Sequence, residues 1–385
     1  MANQSRVARR FAHLHVDNWR NFVSVDVDLQ RRAFLVGPNA SGKSNLLDIF
    51  RFLRDIVAVG GGFQEAVRSR GGVSSLRCLA ARRNPEIGVQ VTIGDDQHPV
   101  AWEYELRFTE NQRRAIVVRE RVTRDGVELL VRPNQQDDED RERLTQTYLE
   151  QVNVNREFRG VAEFFESVRY LHIVPQLIRE PDRSVGRSND PYGGDFLEQV
   201  ARTPETTRGS RLRRIQAALT IAVPQLTKLE LHRDARGTPH LRGRYERWRA
   251  QGAWQTEERF SDGTLRLLGL LWAVLDGSGP LLLEEPELSL HPAVVQVIPA
   301  MFSRVQRRVG RQILVSTHSG DLLRDDGVGL NEALLLEPSS EGTFVRPASS
   351  FEKIKALVGG GVSLADAVIP WTQPKRVLQL ALFGD

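Results

Sequence analysis

The chain has 385 residues, 40% of them hydrophobic and 26% charged, which suits a globular protein with enough length for a sizeable core. A net charge of +4 is too small an excess to point to nucleic acid, and no apolar run reaches the roughly 18–20 residues of a membrane span. The charged N-terminus has no apolar segment behind it, so no signal peptide is expected, and the single cysteine, Cys78, excludes a disulfide framework or a cysteine-built zinc site and suits the cytoplasm.

Of the 53 basic residues only Lys43, Lys228, Lys353, Lys355 and Lys375 are lysines. Arginine clusters therefore say little, whereas a lysine at a special place stands out from the background. The first segment, RFAHLHVDNWRNFVSVDVDL (10–29), alternates and predicts two short strands in a hairpin. AFLV then reads as a buried strand. It runs into FLVGPNASGKSNLL (34–47), where Gly37, four residues, Gly42, Lys43 and Ser44 have the spacing of a phosphate-binding P-loop. SNLLDIFRFLRDI places Leu46, Leu47, Ile49, Phe50 and Leu53 on one helical stripe. A strand, a glycine loop and a helix N-terminus in that order aim backbone N–H groups at one point. The expected nucleotide cradle is Gly37, Asn39, Ala40, Ser41, Gly42, Lys43, Ser44 and Asn45, with Lys43 reaching the β/γ-phosphates and Ser44 holding Mg²⁺, a site that kinases, GTPases and ATPases share.

The order of strand, NWRNF, strand and VGPNASGKSNLL resembles the N-terminus of the RecF/SMC/OLD-like ABC-type ATPases. That resemblance implies a fold: an α/β P-loop head with a mixed or parallel sheet flanked by helices, an antiparallel β lobe and a helical lobe. It also implies that Arg20 lies near the nucleotide.

Further along, 88–108 and 115–133 alternate around DD and DG turn signals and predict antiparallel strands. Segments 135–152 and 162–171 read as helices, YLHIVP as strand-like, 179–195 as a Gly/Pro/Asp-rich loop, and SRLRRIQAALTIAVPQL with the stretch after it as a helix and a hairpin through Trp248. Gln176, in HIVPQLIREP, sits where the resemblance expects a glutamine that helps hold the metal.

ERFSDGTLRLLGLLWAVLDG (258–277) puts Ser261, Asp262 and Gly263 at the start of a strongly apolar helix. Taken alone, this is an ordinary N-cap. In the resembling family the signature motif stands here, with Asp262 and Thr264 as departures from LSGGQ, and Ser261, Asp262 and Gly263 would act on a nucleotide held by a second subunit. LLLEEPELSLHP (281–292) then ends a buried strand in two glutamates. Ligands gather at the carboxyl ends of parallel strands, and the family pattern makes Glu284 the Mg²⁺ carboxylate and Glu285 the base that polarises the attacking water. For Glu287 a surface role and a functional one both fit. The segment Glu287–His291 occupies the place of the loop that touches the opposite subunit. One helix-sized spacer later, ILVSTHS ends in His318. Such a histidine is commonly structural; the family pattern makes it the switch histidine of the γ-phosphate.

The reading is one composite head over 1–385: an N-terminal lobe (1–134), a helical or insert region (135–257), a lobe with signature, acidic strand and histidine (258–335) and a tail (336–385). Sustained heptads and a CxxC hook are missing, and the tail has no acidic cluster of the Toprim kind. The resemblance implies an ATP-sandwiched homodimer that hydrolyses ATP and drives or gates DNA-related work, repair or anti-phage defence, with a separate nuclease or effector and no membrane partner. A slow ATP-gated scaffold for a partner or toxin uses the same residues. An ABC-transporter subunit fits FSDGT, EEPE and NWRNF less well.

Overall fold

The computed structural model describes residues 8–81, 84–180, 190–246, 253–373 and 379. Parts of three expected features fall outside them: the loop at 181–189, the hairpin end at 247–248 and the chain beyond 373 apart from residue 379.

In chain order the strands are β1 (Arg10–Trp19), β2 (Phe22–Asp28), β3 (Arg32–Val36), β4 (Ile87–Gly94), β5 (Trp102–Asn111), β6 (Arg114–Arg124), β7 (Val127–Arg132), β8 (Arg169–Leu171), β9 (Leu226–Arg233), β10 (Pro239–Tyr245), β11 (Ala253–Thr256), β12 (Leu281–Glu284), β13 (Ile313–Thr317), β14 (Ala333–Ser339) and β15 (Gly342–Pro347). They form an antiparallel sheet, β2-β1-β4-β5-β6-β7, a central sheet, β15-β14-β3-β13-β12-β8, and a small sheet, β11-β10-β9. All central pairings are parallel except that of β14 with β15.

The continuous apolar runs of the central strands follow from burial on both faces. Alternate side chains feed two cores. Leu35, Leu282, Leu314 and Leu334 point to one, which also takes the helix Lys43–Val57 and the antiparallel lobe. Phe34, Val36, Leu283, Val315 and Leu335 point to the other, against the helix Asp262–Leu275 and the helical lobe. Register aligns the strand ends: Glu284 pairs with Ser316, and Thr317 with Val36. Three functional loops therefore leave the same edge of the sheet side by side.

Two helix expectations are corrected. Over 135–152 there is only a short helix, Gln135–Glu139, and a 3-10 turn, Arg141–Thr145. The buried Arg132 pulls Asp137 (2.7 Å) and Glu120 (3.1 Å) inward and also binds the Arg143 and Gln146 carbonyls, which a continuing helix would need for itself. Over 162–171 the helix is Arg159–Glu166, and the last residues leave it to become β8, paired with β12. Here tertiary pairing overrides local propensity. The boundary expected after residue 335 falls inside β14, so the tail's first strands belong to the central sheet.

Candidate nucleotide site

The loop between β3 and the helix Lys43–Val57 is shaped by residues that only small side chains satisfy. Gly42 has φ 97° and Ala40 φ 60°, a left-handed pattern that turns successive amides toward one point. A Cβ on Gly42 would stand 2.1 Å from the Asn21 amide, and one on Gly37 2.7 Å from both the Leu336 carbonyl and Ser41 Oγ. Ser41 Oγ is buried and has no hydrogen-bond partner. Lys43 is 6% exposed; its Nζ donates to the carbonyls of Gly37 (2.9 Å) and Pro38 (3.0 Å) and lies 3.4 Å from His318 Nδ1. Burial lowers the Lys43 pKa to about 8, against the opposing pull of Glu285, Glu284 and Glu287.

At the end of β12, Glu284 accepts hydrogen bonds from Ser44 Oγ and from the Tyr170 hydroxyl, one on each carboxylate oxygen. Glu285 is held in the left-handed region at φ 45°, uncommon for a residue with a Cβ, with its N–H bound to the Ser316 carbonyl at 2.9 Å. Its Oε1 is 3.1 Å from His318 Nε2. Burial and the nearby Lys43 push the His318 pKa down, against the opposing pull of Glu285 and Glu284. The bonding then assigns the tautomer: Nδ1 accepts from the Lys43 ammonium and Nε2–H donates to Glu285. The two glutamates face different partners, Glu284 the P-loop serine and Glu285 the histidine.

Asn39 and Asn45 lie in the loop and the first helical turn, and Asn45 is tied to the hairpin. Its Nδ2 donates to Asn21 Oδ1 (2.7 Å) and its carbonyl accepts from Trp19 Nε1 (3.2 Å). Arg20 pairs with Asp48 at 3.1 Å and lines a cavity of about 330 Å³ with Ser44, Arg51, Arg70 and Tyr170. It is thus beside the P-loop serine, though bound to a carboxylate of its own chain.

Ser261 is the exposed N-cap of the helix Asp262–Leu275 and accepts from the Thr264 N–H at 3.1 Å. Arg179 fixes the turn by donating to Asp262 (2.6 Å) and the Phe260 carbonyl (2.7 Å). Gly263 has a reason to be glycine within its own chain: a Cβ there would come 2.5 Å from the Ser289 carbonyl. Leu288, Ser289 and His291 are exposed, but Pro286 and Glu287 turn inward. Glu287 is 8% exposed. Of the two roles left open for it, the surface one is excluded.

Gln176 is exposed on the short helix Pro175–Ile178, and none of the described contacts of Glu284 comes from it. Tyr170 and His172 approach Glu284 instead; His172 Nδ1 lies 3.3 Å from its carbonyl oxygen. Sequence reasoning also missed Asn21, whose Nδ2 donates to the Ser41 carbonyl (2.9 Å) and Thr343 Oγ1 (2.8 Å). The signal was present in NWRNF, where only the arginine was singled out.

The residues fit ATP and Mg²⁺. The buried, partnerless Ser41 hydroxyl and the two positions where a Cβ would collide mark a cradle closed to larger side chains. Ser44 and Glu284 converge as two oxygen donors. Among the described residues no group of three or more His, Cys, Asp or Glu is placed to hold a metal ion.

A P-loop, an acidic strand end and a histidine stand on adjacent parallel strands with an antiparallel lobe beside them, the arrangement of a P-loop nucleotide-binding head. Residues 32–325 match the family described as "AAA domain, putative AbiEii toxin, Type IV TA system", and the chain belongs to that family. The fold is similar to the crystal structure of the "SmcHead bound to the C-winged helix domain of ScpA", at 12% identity and TM-score 0.53, covering 87% of this chain and 96% of that one. It is also similar to the Smc head with an extended coiled coil bound to the C-terminal domain of ScpA from Pyrococcus furiosus, at 12% identity and TM-score 0.50, covering 91% and 100%. No curated protein matches the sequence. Among the described residues no helix is long and apolar enough to cross a membrane.

Proposed function

We propose that this head hydrolyses ATP to ADP and phosphate at the P-loop, with Glu285 as general base and His318 as its partner. The observation that carries this reading is the hydrogen-bonded row of Lys43, His318 and Glu285 beside the Ser44–Glu284 pair. The loop amides and Lys43 would hold the phosphates, and Ser44 and Glu284 would hold Mg²⁺. That ion would neutralise phosphate charge. The Glu285 carboxylate accepts a proton from the attacking water, and its bond from His318 Nε2–H keeps it aimed. Nε2 carries one hydrogen, so a bond from it to a γ-phosphate oxygen would replace the one to Glu285. The test compares ATP turnover with ATP binding in Glu285→Gln. Binding should persist while turnover falls at least about a hundredfold; hydrolysis at the parental rate would show that the base lies elsewhere.

We further propose that two copies sandwich two ATPs, with the exposed Ser261 and the half-buried Asp262 and Gly263 of one serving the P-loop of the other. The cycle would then gate DNA-related work in the cytoplasm, repair or defence, through a nuclease or effector partner. A second reading, a slow ATP-gated scaffold for a partner or toxin, is favoured by one observation. Both oxygens of Glu284 are engaged by side chains, so a metal bound there would share the carboxylate with Ser44 and Tyr170. DNA-stimulated turnover that weakens with salt would support the first reading, and its absence the second.

A further inference from the structure

We infer that Glu287 is the positioning residue of the His318 loop, through hydrogen bonds made by its side chain; this rests on the proposed role of His318. Glu287 follows Glu285 by two residues yet points the other way, into its own chain. Its Oε1 accepts from Thr317 Oγ1 (2.5 Å) and from the His318 backbone N–H (3.1 Å). Thr317 Oγ1 in turn accepts from the Ser319 N–H at 2.9 Å. One carboxylate oxygen thus fixes the last residue of β13 and the two that follow it, and with them the direction in which the imidazole sets out.

A carboxylate is a costly way to bind two neutral donors in a place that is 8% exposed. Its other oxygen, Oε2, is buried and has no partner. A side chain kept there despite that cost has a task beyond packing. Reach is the property that matters. The backbone of Glu285 is pinned to Ser316, and Ser289 lies against Gly263, so Glu287 spans a fixed gap between the acidic strand's loop and the histidine's loop. In that geometry Glu285 and His318 are held from both sides: directly by their 3.1 Å contact, and from behind by Glu287. Because the same short segment also touches the signature helix, the aim of His318 depends on a loop seated against that helix.

Two substitutions separate reach from charge. Glu287→Gln keeps the length and an acceptor oxygen, whereas Glu287→Asp keeps the charge and is one methylene too short. Steady-state ATP hydrolysis should rank Gln well above Asp, with kcat for Asp lowered about tenfold or more and KM for ATP within about twofold, as for a misaimed catalytic group. The Asp substitution in a His318→Ala background should cost nothing further. The reverse ranking, with Asp active and Gln inactive, would show that the charge itself is used and would overturn the inference. So would an Asp effect that adds in full to that of His318→Ala. If His318→Ala alone leaves turnover intact, the role of His318 fails and this inference with it. If His318→Ala is impaired while Glu287→Asp is not, only the inference fails. Circular dichroism and ATP binding on each variant show that the chain has folded.

Discussion

Lys43 carries a pH signature of the site. Its ammonium is buried in the loop, and its pKa falls from 10.5 to about 8. Between those values the folded chain binds fewer protons at this residue than the unfolded chain does. From this group alone, stability therefore rises with pH across the window, and the full cost of burying the cation stands below about 8. Lys43→Met removes the titration. The parental stability relative to that variant, from urea unfolding without nucleotide, should climb between about pH 8 and about pH 10.5. A flat difference would mean that the ammonium is solvated. Glu284 and Glu285, side by side in sequence, illustrate how one strand end serves two ends. The left-handed turn at Glu285 swings its carboxylate to His318 while Glu284 stays with Ser44.

At the scale of elements, the signature helix and the segment after the acidic strand are one packed unit. Gly263→Ala places a methyl against the Ser289 carbonyl, where a Cβ would be 2.5 Å away, and Ser289 is itself at φ 62°. The backbones must part, at a cost of about 1–3 kcal/mol. Unfolding of the nucleotide-free chain should show that loss; unchanged stability would mean that the two segments are free to slide apart. This contact, made within one chain, was invisible in the sequence, where Gly263 suggested a helix N-cap or a role toward a second subunit. The same holds for Tyr170, which acts across a long separation in the chain on Glu284; no local period announces such a partner. The P-loop, the acidic strand and the histidine strand were legible because their chemistry is packed into contiguous runs flanked by apolar strands. The helix expected over 135–152 was misread because polar residues with helical propensity were serving the buried Arg132.

On the scale of the whole molecule, the two cores on either side of the central sheet hold β3, β12 and β13 in one register, so three loops meet at a single edge. Ser261, Leu288, Ser289 and His291 are left exposed. Within one chain none of the described contacts brings Ser261 to the P-loop; in the proposed dimer a second copy would supply it. The direct measurement is the solution mass of Glu285→Gln by sedimentation, with and without Mg²⁺ and ATP. The account predicts a species of 43.5 kDa without nucleotide and one of twice that mass with it, reverting when Ser261→Arg is added. A variant that binds ATP fully and stays at 43.5 kDa would contradict it.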